Sequence, residues 1–354
     1  MNVTKLPSGQ WRVSVKYKGQ RRTATARTQS LAQQLGATMI IEMGGAPKQT
    51  ELTVADLLSN WLAVSDFSAT YRSDAERIAR VMPKAFAQRT LSSVSPLVID
   101  HFYRQLAEAG FSPHRVRRFH EVLSSAWSMA LRYEWANHNP FSWAKKPTVP
   151  KRRATAPHVD DVVRVLAAAD ETFALYLQLS ATAGGRRGEM VGLQWNAVGE
   201  TTLDMHRALA YTPETGVIVK EVKPGPKGNR VVSMPVPLMR RLRAHRKAQL
   251  EMAVANGLPA PLWVFSDDAG VTPWRPDFVT YRWIKLRDSL GLKGVRLHDM
   301  RHFMASQALA AGVPLSVVSD RLGHTNRQTT SDLYGHMVPA ADRQVSDIMG
   351  RLLG

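Results

Sequence analysis

The segment that says most about this chain is Leu297-His298-Asp299-Met300-Arg301-His302. Residues three and four positions apart share one face of a helix, so a helix here would project His298, Arg301 and His302 together. Two histidines at this spacing can bind a metal ion, but a guanidinium between them would repel a cation. The segment therefore predicts an anion site, and a phosphate held by histidine and arginine fits it.

Two further segments carry groups that can contact a phosphate. The first is Ala183-Gly184-Gly185-Arg186-Arg187-Gly188-Glu189-Met190, in which glycines before a helix start let the backbone approach closely and Arg186 can donate two parallel hydrogen bonds. The second begins with Arg321-Leu322-Gly323-His324, which predicts a helix that stops at Gly323. Tyr334 follows ten residues after His324, in Ser331-Asp332-Leu333-Tyr334-Gly335-His336.

In this order the segments resemble the tyrosine recombinase family, of phage integrase type with an N-terminal arm-site-binding domain. G-G-R-R-G-E resembles the first arginine box of that family, and L-H-D-M-R-H with L-G-H and D-L-Y-G-H resembles its second. Met300 and Gly185 depart from the more usual residues. The matching motifs span about 150 residues, and together they are highly specific.

The resemblance implies a direct transesterification at phosphorus in which Tyr334 is the nucleophile. Arg186 and Arg301 would neutralise the transition state, and His324 would donate a further hydrogen bond. His298 is the candidate acceptor of the tyrosine proton, because an unperturbed imidazole titrates near neutrality. The family's proton donor to the leaving oxygen is a lysine in a β-turn; Lys223 is favoured and Lys227 is the alternative. His302 is interpreted as support and Glu189 as a brace for Arg186. Neither a metal nor another cofactor is expected.

Composition agrees with a polyanionic partner. The 354 residues include 47 Lys and Arg against 29 Asp and Glu, a formal charge of +18. Nucleic acid is the commonest partner of so basic a protein, and no apolar stretch approaches the roughly 20 residues that span a bilayer. The absence of cysteine excludes disulfides and thiolate sites. No G-x-x-x-x-G-K-[ST], G-x-G-x-x-G or H-E-x-x-H motif occurs. The expected compartment is the cytoplasm.

The predicted fold class is multidomain and mainly α with small β elements. A small sheet-plus-helix arm-type domain is predicted over residues 1–45, a helical core-site DNA-binding domain over 52–147 and a mixed α+β catalytic domain over 155–354. Trp11, Val13, Val15 and Tyr17 alternate as in a half-buried strand, followed by a turn at 18–20 and a second strand over 21–27. Ser30 would then begin a helix. Further strands are predicted at 217–220 and 231–234, around a turn-rich segment.

Helix starts are predicted at Ser95-Pro96 and Ser112-Pro113, and prolines make residues 144–157 an extended linker. Basic residues in these regions are the candidate DNA contacts: Arg12, Lys16, Lys18, Arg21 and Arg22 in the N-terminal segment; Arg115, Arg117 and Arg118 early in one helix; Lys151, Arg152 and Arg153 in the linker; and Lys227.

The expected partners are double-stranded DNA attachment sites of core and arm type, bound by a homotetramer on synapsed DNA. The resemblance also suggests a host DNA-bending protein and a directionality factor; no membrane partner is expected. Val345, Ile348, Met349 and Leu352 share a helical face that would pack on the same subunit or on a neighbour. Two alternatives stay open: a type IB topoisomerase-like enzyme and a non-catalytic DNA-binding regulator.

Overall fold

The structure is a computed structural model that describes residues 2–17, 19–29, 32, 35–36, 39, 52–150, 156–221 and 229–323. The chain divides into two compact units, residues 1–151 and 152–354. The predicted fold class is confirmed, because helices dominate the described residues and the sheets are small.

A three-stranded antiparallel sheet opens the first unit. Its strands are β1 (Asn2–Lys5), β2 (Trp11–Tyr17) and β3 (Gln20–Ala26), in the order β1-β2-β3. Val13 and Val15 are buried in a small cluster with Ala26 and Ala32, which confirms the predicted half-buried strand. Gly19 has a φ of +83°, as the predicted turn between β2 and β3 requires.

Between residues 52 and 132 the first unit is mainly helical. Its helices are α1 (Val54–Val64), α2 (Ala69–Arg80), α3 (Lys84–Ala87), α4 (Pro96–Glu108) and α5 (Pro113–Arg132). Ser95 and Ser112 are N-caps followed by proline, so both predicted helix starts are confirmed. The aromatic residues of these helices, including Phe102, Phe119 and Trp127, form one core.

The second unit packs its helices around two small sheets. The helices are α6 (Val159–Ala168), α7 (Glu171–Ala183), α8 (Arg187–Val191), α9 (Val236–Ala255), α10 (Pro276–Ser289), α11 (Asp299–Ala310) and α12 (Leu315–Leu322). The strands are β4 (Thr202–Asp204), β5 (Arg207–Thr212), β6 (Gly216–Glu221) and β7 (Val231–Ser233).

The two strands predicted around the turn-rich segment do not pair with each other. The predicted strands are present as β6 and β7, but β6 pairs with β5 and β7 pairs with β4, both antiparallel. Sequence patterning marked neither β4, which has three residues, nor β5, which has six and forms a hairpin with the next strand, β6. Among the described residues, no helix combines the length and apolar character needed to cross a membrane.

Candidate active site

Arg186 is held at the start of α8 by Glu189. The Arg186 backbone N–H donates to Glu189 Oε2 over 2.8 Å, and Nη1 donates to Oε1 over 2.8 Å. Glu189 is 3% exposed, while the Arg186 side chain is 45% exposed. The prediction that Glu189 braces Arg186 is therefore confirmed.

The glycines around Arg186 serve backbone packing. Gly184 ends α7 with a φ of +67°, in the left-handed region that favours glycine. A Cβ on Gly188 would lie 2.6 Å from the Leu209 carbonyl oxygen of β5. These glycines therefore permit α8 to pack closely against β5. This packing fixes the position of the start of α8, where Arg186 lies.

Arg301 is the buried arginine of the site. It lies on α11 and is 3% exposed. Its Nη1 donates to the Gly184 carbonyl over 2.5 Å, and its Nη2 donates to the Leu322 carbonyl over 2.6 Å. Arg301 thus joins the end of α7 to the end of α12.

Arg186 and Arg301 meet at the carboxyl end of α12. Arg186 Nη2 donates to the Gly323 carbonyl over 3.0 Å, next along the chain from the Leu322 carbonyl that binds Arg301. Gly323 ends this helix with a φ of +65°, so the predicted helix stop is confirmed. The final carbonyls of a helix carry partial negative charge and favour cations. This helix end therefore brings together two arginines from distant segments.

A third arginine, Arg230, was missed by sequence reasoning. Its Nη1 and Nη2 donate to both oxygens of Glu189 over 3.2 and 2.7 Å, and its Nε donates to the Arg321 carbonyl over 2.7 Å. Burial by itself would raise the pKa of Glu189, but Arg230 and then Arg186 lower it overall, so the carboxylate stays ionised. Arg230 stands in a basic stretch without a distinguishing pattern, so only its partners reveal it.

His298 and His302 lie together, as predicted, with ring centroids 5.0 Å apart and perpendicular planes. His298 directly precedes α11 and keeps an exposed face, whereas His302 is buried. Partial burial, with the positive charges of His302, Arg301 and Arg296, lowers the pKa of His298 to about 4. Burial also lowers the pKa of His302.

These shifts correct the premise that His298 titrates near neutrality. A pKa of about 4 makes the imidazole neutral at pH 7 and able to accept a proton, but only weakly basic. The reason is tertiary, since the fold partly buries the ring and places the positive charges of His302, Arg301 and Arg296 near it. A phosphate would offset those charges and raise the pKa of His298 again.

Comparison with known proteins identifies the family. Residues 158–340, more than half of the chain, match the model of the Phage integrase family. The chain belongs to that family. It is a tyrosine-type site-specific recombinase. Its similarity to the ICEBs1 integrase of Bacillus subtilis (strain 168) is 24% identity with all of both chains covered. A XerC-like tyrosine recombinase from Caldanaerobacter subterraneus subsp. tengcongensis is 23% identical over 82% of this chain and 80% of its own.

Solved structures share the recombinase fold. The Tn1549 transposon integrase, in complex with transposon right end DNA, gives a TM-score of 0.67 at 16% identity and covers 86% of this chain and all of its own. A lambda integrase tetramer bound to a Holliday junction gives a TM-score of 0.57 at 14% identity, with 94% of both chains covered.

Several predicted residues of the recombinase lie outside the described residues. The catalytic candidates outside them are Lys223, Lys227, His324 and Tyr334. The DNA-contact candidates outside them are Lys18, Lys151, Arg152 and Arg153. The C-terminal face of Val345, Ile348, Met349 and Leu352 lies outside them as well. Of the predicted catalytic residues that the structure describes, Arg186 and Arg301 converge on the end of α12, and His298 lies near enough to Arg301 to be affected by its charge.

The N-terminal sheet separates the predicted DNA contacts by face. Arg12 and Lys16 alternate with the buried valines, and Lys16 pairs directly with Arg21, so all three share the face opposite the small core. Arg22 pairs with Val15 and belongs to the other face, although it is exposed. Three of the candidates therefore form one basic surface, which we call the basic face.

The arginines early in α5 bind acidic side chains of the same unit. Arg115 Nη1 and Arg118 Nε donate to the two oxygens of Asp74 on α2 over 2.9 and 2.6 Å. Arg117 and Arg118 contact Glu121 at 3.4 and 3.3 Å. Arg115 and Arg118 thus tie α5 to α2, a tertiary role that sequence reasoning missed; their contact with DNA stays a prediction.

Proposed function

We propose that this recombinase cuts and rejoins duplex DNA through a 3′-phosphotyrosine at Tyr334. The observation that carries the proposal is the convergence of Arg186 and Arg301 on the consecutive carbonyls of Gly323 and Leu322. Two guanidiniums held together in this way suit a phosphate whose non-bridging oxygens gain negative charge in the transition state. His324, which follows Gly323 directly in the chain, is the further hydrogen-bond donor of this proposal.

The proposed step exchanges one phosphodiester for another. The Tyr334 oxygen attacks phosphorus while the bond from phosphorus to the 5′ oxygen breaks. The tyrosine proton passes to neutral His298, and the leaving oxygen takes a proton from Lys223 or, as the alternative, Lys227. A 5′-hydroxyl of the partner strand then attacks the phosphotyrosine and releases Tyr334. Because each ester replaces another, the exchange needs no external energy source.

The biological role we propose is integration or excision of a phage or another mobile element. Support comes from the relatives, which include the ICEBs1 integrase and the Tn1549 transposon integrase. Core-type sites would be bound by domains at 52–147 and 155–354, and arm-type sites by the basic face within residues 1–45. The working state would be a homotetramer on two synapsed sites, assisted by a DNA-bending host protein and a directionality factor.

The test is a covalent-trapping assay. The protein is incubated with labelled, nicked duplexes from DNA flanking its own gene, without metal or ATP, and separated on a denaturing gel. We expect a shifted band whose tryptic digest carries the nucleotide on the peptide of residues 328–343, which contains Tyr334 as its one tyrosine. Tight binding without an adduct would instead favour a DNA-binding regulator, and supercoil relaxation without joining of two sites a topoisomerase.

DNA affinity is expected to fall steeply with salt, because each phosphate that the protein neutralises releases counterions. About six to ten neutralised phosphates would lower the association constant by about 10³–10⁵ between roughly 50 and 200 mM salt. In a plot of the logarithm of the association constant against the logarithm of the salt concentration, the slope measures the number of neutralised phosphates. Replacing Arg12, Lys16 and Arg21 together with glutamine should make this slope for arm-site DNA shallower by about 0.9 for each phosphate that the variant leaves unneutralised. Arg22→Gln, on the opposite face, is the matched control and should change the slope least. A flat titration of the wild type would contradict phosphate-dominated binding.

A further inference from the structure

Arg230 occupies the centre of the site without any role in the chemistry described so far. Its side chain is 8% exposed, against 45% for Arg186, although both arginines bind Glu189. Glu189 Oε1 accepts from Nη1 of both arginines, and Oε2 accepts from Arg230 Nη2 and the Arg186 backbone N–H. Each hydrogen bond that holds Arg186 to Glu189 therefore shares its acceptor with Arg230.

Arg230 also fixes the end of α12. Its Nε donates to the Arg321 carbonyl, so Arg230, Arg301 and Arg186 bind three consecutive carbonyls, those of residues 321, 322 and 323. A Cβ on Gly323 would lie 2.9 Å from Arg230 Nη1, which shows how closely this guanidinium packs against the last turn. Of the two partners that orient Arg186, Arg230 thus binds Glu189 directly and packs against Gly323, two residues after the Arg321 carbonyl that it also binds.

We propose that Arg230 is a positioning residue for DNA cleavage: it clamps Glu189 and the end of α12 so that Arg186 faces the scissile phosphate in a fixed orientation. The inference rests on the proposed function, since it assigns Arg186 to the transition state. Arg230 itself is only 8% exposed, which leaves little of its side chain for a direct contact with DNA.

The charges around Glu189 explain why the clamp matters. Arg186 and Arg230 contact the carboxylate directly. Arg301 binds carbonyls at the ends of α7 and α12. Arg321 binds a carbonyl near the end of α7 and the Ser233 carbonyl in β7. Without Arg230, the buried Glu189 would keep one ionic partner, and its pKa would rise toward and above its ordinary value. Once protonated, Glu189 would lose an acceptor that Arg186 needs.

The first experiment measures single-turnover adduct formation and DNA affinity for Arg230→Met, with Arg230→Lys as the conservative variant. We expect Arg230→Met to slow adduct formation about 10²-fold, the scale of a misplaced catalytic group, with the dissociation constant for DNA within about twofold of wild type. Arg230→Lys should recover part of the rate, since it restores the charge. Arg241→Met is the matched control, because Arg241 binds the Gln178 side chain on the surface and should keep the wild-type rate.

The pH profile separates positioning from a merely structural role. Arg230→Met should lose further activity as pH falls through the raised pKa of Glu189, whereas the wild type keeps Glu189 ionised in that range. In a Glu189→Gln background, which cannot ionise at this position, Arg230→Met should add no such pH dependence. A wild-type adduct rate in Arg230→Met, or equal losses of rate and DNA affinity with no added pH dependence, would overturn the proposal.

A DNA-free readout keeps this inference distinct from the proposed function. The melting temperature of Arg230→Met should lie further below that of the wild type at pH 8 than at pH 5. The variant binds a proton on Glu189 at the lower pH and thereby removes a buried negative charge that Arg186 alone compensates only in part. An equal difference at both pH values would overturn the clamp. If the wild type itself forms no adduct, the proposed function fails while the melting data still decide the clamp.

Discussion

Replacing Tyr334 with phenylalanine is expected to leave DNA affinity unchanged and to abolish the covalent adduct. The substitution removes one hydroxyl, the nucleophile of the proposed transesterification, and keeps the aromatic ring. The loss should reach the detection limit of the assay, since phenylalanine offers no other nucleophilic atom. A gel-shift titration on native gels measures affinity, and the denaturing gel measures the adduct.

Tyr281 provides the matched control for this variant. It lies on α10 of the second unit and is 64% exposed, so Tyr281→Phe makes the same chemical change on an accessible tyrosine. Tyr281→Phe should form the adduct at the wild-type rate. An adduct in Tyr334→Phe at normal yield would show that another residue is the nucleophile.

Arg301→Ala is expected to lower the rate of adduct formation by at least about 10²–10³-fold, the effect of removing one transition-state donor. It should also lower the melting temperature, because buried Arg301 bridges the Gly184 and Leu322 carbonyls. Arg301→Lys should recover stability better than rate, since an ammonium retains the charge but cannot reproduce the planar fork. Single-turnover kinetics and thermal melts measure the two effects.

Arg186→Ala should show a similar loss of rate with a smaller loss of stability, because nearly half of that side chain is exposed. The neighbouring Arg187 is the control. Its Nη1 donates to the Thr280 hydroxyl, whereas the hydrogen bonds to Glu189 and to the Gly323 carbonyl come from Arg186 and Arg230. Arg187→Ala should therefore keep a near wild-type rate. Full-rate cleavage by Arg186→Ala would remove that arginine from the transition state.

The sequence by itself determined the features that depend on short-range physics. Ser95 and Ser112 cap helices because a side chain and a backbone N–H three residues apart are enough to do so. Gly323 ends α12 because the left-handed conformation there suits glycine. The histidines at 298 and 302 lie together because helical spacing requires it. The order of these motifs was also sufficient to predict the family.

Only the tertiary structure decided how distant segments complete one another. Asp74 on α2 binds Arg115 and Arg118 on α5, and β7 pairs with the distant strand β4 rather than with β6. Arg230 gains its place because β7, α8 and α12 meet around it. The pKa of His298 falls because the fold partly buries the ring and also places positive charges near it. Each outcome depends on electrostatics and packing between residues far apart in the chain, which local spacing does not encode.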